Sequence, residues 1–298
     1  MNPRAQIRLL PDGKRLHLHD GPIDLIADAF GPTARVETAY RAAGARFVTV
    51  LDELCGELSV LRQACSPEAE WPQGRVARRM TAAVMPYASR YFITPMAAVA
   101  GAVAEEILAA MVSAADLSRA YVNNGGDIAL HVEPGASFKI GMVDRPEIPS
   151  FFGATRLHAS DPVRGIATSG WRGRSFSLGI ADAVTVLADR AAAADAAATI
   201  IANAVDLPGH PAVTRVPARQ LAPDSDLGDR LVTQSVGALT AGEVDEALAA
   251  GAETADLLLK MRLIRSAAIR LRGETRVVSA EQSNLSVMPV RERGLMHA

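Results

Sequence analysis

The chain has 298 residues, with 31 Lys and Arg against 33 Asp and Glu, a formal net charge of −2. That balance offers no electrostatic case for a nucleic acid or an anionic membrane as partner. Aromatic residues make up only 4% and alanine is used heavily, so the core has to be built from small side chains and closely packed helices.

In "MNPRAQIRLLPDGKRLHLHD" charges break every apolar run, so neither a signal peptide nor a lipoprotein leader is expected. No apolar run is read as reaching the ~20 residues that span a bilayer. A soluble, cytoplasmic protein with no membrane partner is the expectation. Next, "RLHLHDGPIDLIAD" alternates and turns at Gly21-Pro22, predicting an opening strand or hairpin. From Thr38 to about Ala64, Phe47, Leu51, Leu54, Leu58 and Leu61 fall three or four apart, the apolar face of a long helix. Cys55 and Cys65 lie in that stretch without a second pair to complete a metal site, and are expected as buried thiols of a reducing compartment. "SPEAEWPQG" ends the helix with prolines and a glycine.

An alanine-rich helix is predicted from about Pro95, with the proline in its first turn, where a missing N–H costs little. Residues 119–123 and 127–133 read as strands around an Asn-Asn-Gly-Gly turn, 138–144 as a third strand, and "GIATSGWRGRSFSLGIADAVTVLAD" as two or three more. Residues 190–205 are the strongest helix in the sequence, since alanine has the best intrinsic propensity. A Pro- and Asp-rich connection over 206–233, a helix in "GEVDEALAAGAETADLLLKM" and a hairpin around Gly273 follow. No repeat or linker interrupts this order. One α+β domain over residues 1–280 is expected, with 281–298 as a frayed polar tail.

Three stretches could carry chemistry. In "NNGGDIAL", consecutive glycines permit positive φ and leave N–H groups unshielded, so Asn124, Gly125 and Gly126 could nest an oxyanion while Asp127 contacts a ligand. A plain two-residue hairpin explains the same residues. In "GIATSGWRGR", Thr168, Ser169 and Gly170 offer two hydroxyls and a bare amide, with Arg172 and Arg174 on one face behind them, a donor set for diphosphate oxygens. A Thr-Ser-Gly turn with solvated arginines is the alternative. In "ADAAAT", Asp195 and Thr199 stand four apart on one helix face, a fitting share of a hard cation's oxygen ligands. A threonine bonded back to its own helix, with Asp195 paired to an arginine, fits equally. Asp224, Asp226 and Asp229 depart from a calcium loop's spacing and read as turn and capping residues. His158 reads as a surface loop histidine.

These stretches, in this order, resemble the ApbE-like superfamily, whose best-known members are FAD:protein FMN transferases. There the pattern is Asn-x-Gly-Gly-Asp/Glu, then Ala-Thr-Ser-Gly before an aromatic residue and arginines, then Ala-Asp-Ala-x-Ala-Thr on a helix. The likeness spans roughly residues 119–205. Phrases such as "FITPMAAVAGAVAEE", "ATSGWRGRSFSLG" and "PDSDLGDRLVT" extend it over nearly the whole chain toward a UPF-type branch of that superfamily. The resemblance implies an α+β ApbE-like fold, a mostly antiparallel mixed sheet flanked by helices. It implies Mg²⁺ on Asp195 and Thr199, contacts to FAD (or FMN) from Thr168, Ser169 and Gly170, and Gly125, Gly126 and Asp127 lining the flavin pocket. A homodimer and a small nucleotide ligand complete the expectation.

The chain also departs from the pattern. The transferases carry a His-x-Ile-Asp-Pro-x-Thr-Gly hairpin between the Ala-Thr-Ser-Gly segment and the metal helix, whereas "RSFSLGIADAVTVLAD" runs straight across here. Three readings stay open: a Mg²⁺-dependent flavin pyrophosphatase or FMN-transferase-like enzyme, a non-catalytic flavin carrier, and an enzyme on another phosphorylated or pterin-like cofactor.

Overall fold

The structure is a computed structural model that describes residues 4–143 and 151–279; the expected tail over 281–298 lies outside the described residues. In chain order the strands and helices are β1 (Gln6–Leu9), β2 (Leu16–Asp20), β3 (Ile23–Phe30), α1 (Thr33–Gly56), α2 (Leu58–Leu61), α3 (Arg75–Val84), α4 (Val99–Ala114), β4 (Arg119–Asn124), β5 (Asp127–Val132), β6 (Ser137–Val143), β7 (Phe151–His158), β8 (Gly165–Ser169), β9 (Ala183–Ala188), α5 (Ala191–Ala204), β10 (Val213–Pro217), α6 (Ala218–Leu221), β11 (Leu231–Val236), α7 (Ala241–Lys260), β12 (Ser266–Leu271) and β13 (Glu274–Ser279).

Nine strands form one sheet in the order β1-β2-β3-β4-β5-β8-β9-β12-β13. Every pairing among them is antiparallel, so the described sheet is not mixed. Helices cover one face in step with the strands: α1 over β2–β3, α4 over β4–β5, α5 over β8–β9 and α7 over β12–β13. Alternation sorts the side chains. Leu16, Leu18, Leu25, Ala27, Ala120, Val122, Ala129 and Ala167 enter the main core under the helices. A smaller cluster of Leu130, Leu157, Val163, Ile166 and Leu187 lies on the opposite face, where the β6–β7 ribbon supplies Phe138 and Ile140.

Most expected elements are present, and the exceptions have local causes. The first long helix starts earlier than Thr38, directly after Pro32, and ends at Gly56 instead of running to Ala64. Glu57 leaves it to accept from the N–H groups of Gln73 (2.6 Å) and Gly74 (2.8 Å), which caps the start of α3. Cys55 is exposed at that helix end, contrary to expectation, while Cys65 is half-buried and burial raises its thiol pKa. The 206–233 connection holds the small β10–β11 sheet, because Val213, Val216, Val232 and Thr233 give it enough β-branched residues to pair.

Residues 95–114 form a continuous helical stretch of 20 residues with mean hydropathy 1.6, long and apolar enough to cross a membrane by length and composition. Half of it is buried inside this fold. It also carries Glu105 and Glu106, which pair with Arg79 at 3.0 and 2.8 Å, so it reads as a core helix. At the start of α7, Thr240 and Glu243 form a reciprocal capping box, the Thr240 N–H donating to Glu243 at 2.7 Å. Thr240→Ala is expected to lower stability by ~1 kcal/mol in denaturant titration, the ordinary cost of losing such a cap.

Candidate functional site

Gly125 and Gly126 both hold positive φ, 65° and 117°, and place Asn124 directly opposite Asp127. This is a two-residue hairpin of the mirror-image kind, which only residues tolerant of positive φ can make. Asn123 Oδ1 accepts the Gly126 N–H at 2.8 Å. The Gly126 amide is therefore committed within the turn and cannot serve as the expected anion nest. What the turn achieves is placement. Asn124 and Asp127 occupy the helix-side face of the sheet, and Asn124 Nδ2 donates to the Ala100 carbonyl at 3.2 Å.

Asp127 Oδ1 accepts from the Thr168 backbone N–H at 3.2 Å, joining the start of β5 to the end of β8. Thr168 contributes that amide, whereas its hydroxyl meets Thr185 Oγ1 at 2.9 Å on the opposite face. Ser169 follows on the helix side, by alternation with Ala167. Its hydroxyl has no hydrogen bond among the described residues.

Asp195 stands one turn into α5, and its Oδ2 accepts from the Gly101 N–H at 3.0 Å. Since Ala100 also holds Asn124, the turn that carries Asp127 and the helix that carries Asp195 are both bonded to one piece of α4 backbone. Each keeps part of its surface open while protein crowds around it. Burial pushes the Asp127 carboxyl up to about 7, against a small opposing effect of the Thr168 amide. Burial also raises Asp195 well above the usual carboxylate range, with the Asp127 charge adding and the Gly101 and Ala100 amides opposing.

Thr199 shares the helix face of Asp195. Thr38, Thr81 and Thr254 donate to the carbonyl four residues back at 2.8, 3.1 and 3.1 Å, as helical threonines commonly do. Thr199 makes no hydrogen bond among the described residues, and Asp195 has no ion pair there. The neighbouring Asp189 is held by Arg265 at 2.6 Å. The back-bonded threonine and arginine-paired aspartate of the alternative reading are thus not what the structure contains.

The loop from Gly170 to Asp182 is tied at its base. Trp171 N–H donates to Ala181 O at 3.0 Å, and Asp182 accepts from Trp171 Nε1 (3.3 Å), Arg172 Nε (3.0 Å) and the Arg272 N–H (2.6 Å). Arg172 also lies over the Trp171 ring at 4.4 Å, so it serves the loop before any ligand. Arg174 is exposed, has no ion pair among the described residues, and leans on the turn. A Cβ placed on Gly125 would stand 3.1 Å from its Nη1.

No group of three or more His, Cys, Asp or Glu side chains suited to a metal occurs among the described residues. Asp127, Asp195 and the unbonded hydroxyls of Ser169 and Thr199 offer only oxygen donors, the donor type that hard cations prefer. His158, as expected, is an exposed residue at the end of β7. Asp224 and Asp226 hold surface structure, bonding Arg62 (2.8 Å) and the buried Thr94 (2.5 Å).

Sequence reasoning missed the α4 backbone at Ala100–Gly101 and the Glu105 side chain. The available signal was an isolated glycine in an alanine-rich helix, which usually has a packing reason.

A family model described as AbpE bacteria matches residues 7–277. Among curated relatives, a UPF0280 protein of Methanopyrus kandleri is 40% identical over 129 residues, 43% of this chain and 48% of that protein. One of Methanococcoides burtonii is 40% identical over 151 residues, 50% and 58% of the two chains. One of Methanocella arvoryzae is 32% identical over 190 residues, 61% and 70%. The chain thus spans about half the length of several curated relatives it matches. Among solved structures, a point mutant of the flavin transferase ApbE from Vibrio cholerae aligns over 93% of this chain and 97% of its own, at 11% identity and TM-score 0.37. No residue is carried across from it.

Proposed function

The chain belongs to the AbpE bacteria family, and from that premise we propose that it binds a divalent cation, Mg²⁺, together with a flavin nucleotide diphosphate, FAD. One observation supports the reading: the Asn124–Asp127 turn and Asp195 both bond α4 at Ala100–Gly101, and Thr199, on the helix face of Asp195, has no hydrogen bond among the described residues. Two crowded carboxylates with raised pKa values are costly unless protonated or neutralised, and a cation supplies the neutralising charge.

Asp127, Asp195 and Thr199 would hold the ion, which when bound neutralises charge on a diphosphate bridge. Arg174, over Gly125, would take the outer phosphate oxygens, with the Ser169 hydroxyl as a further donor. Asp182 keeps Arg172 and Trp171 in place and so shapes the loop beside them. Gly126 has nothing within 4 Å of the position its Cβ would take, which leaves room for the ligand beside the turn.

The test is calorimetry of the purified protein with FAD and Mg²⁺, followed by product analysis. Arg174→Ala is expected to weaken FAD binding by about ten- to a hundredfold, consistent with ~1.5–3 kcal/mol for a hydrogen bond to a charged group. Release of FMN or AMP identifies an enzyme, and intact bound FAD identifies a carrier. FAD affinity that is indifferent to Mg²⁺ or to Arg174→Ala contradicts the reading.

A further inference from the structure

The two helices that build the site cap each other. Asp195, in α5, accepts from the Gly101 N–H at the start of α4 (3.0 Å). Glu105, in α4, accepts from the Ala192 N–H at the start of α5 (2.8 Å). Each carboxylate stands one turn beyond the point where its own helix touches the other, so the bonds are reciprocal. They also satisfy first-turn amides that have no intrahelical partner.

The helices can approach this closely only because residue 101 lacks a side chain. A Cβ there would stand 2.4 Å from Ala191 O and 2.7 Å from Ala192 N. Glu105 is fixed in turn from outside. Its Oε2 meets Arg79 Nε at 3.0 Å, and Arg79 Nη1 reaches Glu106 at 2.8 Å. A chain of charge-assisted bonds therefore runs from α3 through Glu105 to the first turn of α5, the turn that leads to Asp195.

We infer that Glu105 is a positioning residue: it fixes the start of α5 on α4 and thereby sets where the Asp195 carboxylate stands. This rests on the reading of Asp195 as a metal ligand, but its structural half is testable without metal. Glu105 spends its carboxylate on the Ala192 amide and Arg79. It acts through the Ala192 amide, so any acceptor of the right length should preserve part of its effect.

The experiment compares Glu105→Ala, Glu105→Gln and Arg4→Ala with the unaltered chain. Arg4→Ala breaks ion pairs to Asp20 (2.6 Å) and Asp52 (2.7 Å), away from the Glu105–Arg79–Glu106 chain, and serves as a control for general loss of stability. The readouts are Mn²⁺ affinity, amide hydrogen exchange at Gly101 and melting temperature. Glu105→Ala is expected to weaken Mn²⁺ binding about tenfold or more, the usual scale for an outer residue that orients a ligand, and to speed exchange at Gly101. Glu105→Gln, whose amide oxygen still accepts from Ala192, should recover most of both. Arg4→Ala should lower the melting temperature while leaving both unchanged.

Unaltered Gly101 exchange in Glu105→Ala overturns the inference, as does an equal loss of affinity in Arg4→Ala. If the unaltered chain binds no Mn²⁺, the metal reading fails, and exchange at Gly101 still decides whether Glu105 positions Asp195.

Discussion

Asp195→Asn is expected to abolish Mg²⁺ binding and to remove much of the pH dependence of the metal-free protein's stability. Burial pushes the Asp127 carboxyl up to about 7 and holds Asp195 well above the ordinary carboxylate range. The folded chain therefore holds these protons more tightly than the unfolded chain does. Their favourable contribution is complete below about pH 4 and is lost as pH rises through about 7. In chelator, melting temperature should fall across that window. Glu105 and Asp28, also raised by burial, push in the same direction, so the comparison between wild type and variant isolates the aspartate pair.

At mildly alkaline pH, saturating Mg²⁺ should reverse the loss, since a ligand at ~100 times its Kd stabilises by ~2.7 kcal/mol. Asparagine keeps an oxygen for the Gly101 N–H, so the helix contact survives while the charge does not. The measurement is a set of melting curves from about pH 5 to about pH 8, with chelator and with Mg²⁺. A Mg²⁺-induced shift of unchanged size in Asp195→Asn would falsify the metal assignment.

Gly101→Ala is expected to be strongly destabilising, with loss of metal binding as well. The added carbon would stand 2.4 Å from Ala191 O and 2.5 Å from Ala191 C, and backbone atoms cannot rotate away. Gly165 faces the same helix start from the sheet, and its Cβ would meet Arg190 C at 2.1 Å and Ala191 N at 2.2 Å. The first turn of α5 is held in a notch that two absent side chains leave open. Alanine at either position has to move α5 and, with it, Asp195.

Overpacking costs typically ~1–3 kcal/mol and occasionally more, and contact with backbone at these distances belongs at the upper end. A helix-interior glycine-to-alanine change otherwise gains roughly 0.5–1 kcal/mol. Gly242→Ala in α7, where a Cβ meets nothing within 4 Å, supplies that comparison. Urea titrations of the three variants decide the matter. Gly101→Ala as stable as Gly242→Ala would mean that the helices are not in this contact.

The sequence by itself determined the elements with strong local signals. Alanine propensity marked α5, alternation with paired turn residues marked the β2–β3, β4–β5 and β12–β13 hairpins, and apolar spacing marked the body of α1. It also marked which stretches gather acids and hydroxyls, because such residues set among alanines and glycines are conspicuous on one line of text. It missed α3, and it did not show that the first long helix stops at Gly56, because Glu57 spends its carboxylate on amides sixteen and seventeen residues away.

Only the tertiary structure decided which candidates meet. Arg172 and Arg174 look equivalent two residues apart, yet Asp182 claims the first and leaves the second beside Gly125. The Gly-Gly amides look free, yet Asn123 takes one of them. Asp127 and Asp195 are 68 positions apart, and their convergence depends on α4 and α5 crossing at a glycine. The physical reason is one of range. Propensity and periodicity act through neighbours on the chain, while a polar group's partner is settled by whichever donor or acceptor the packed backbone brings within about 3 Å.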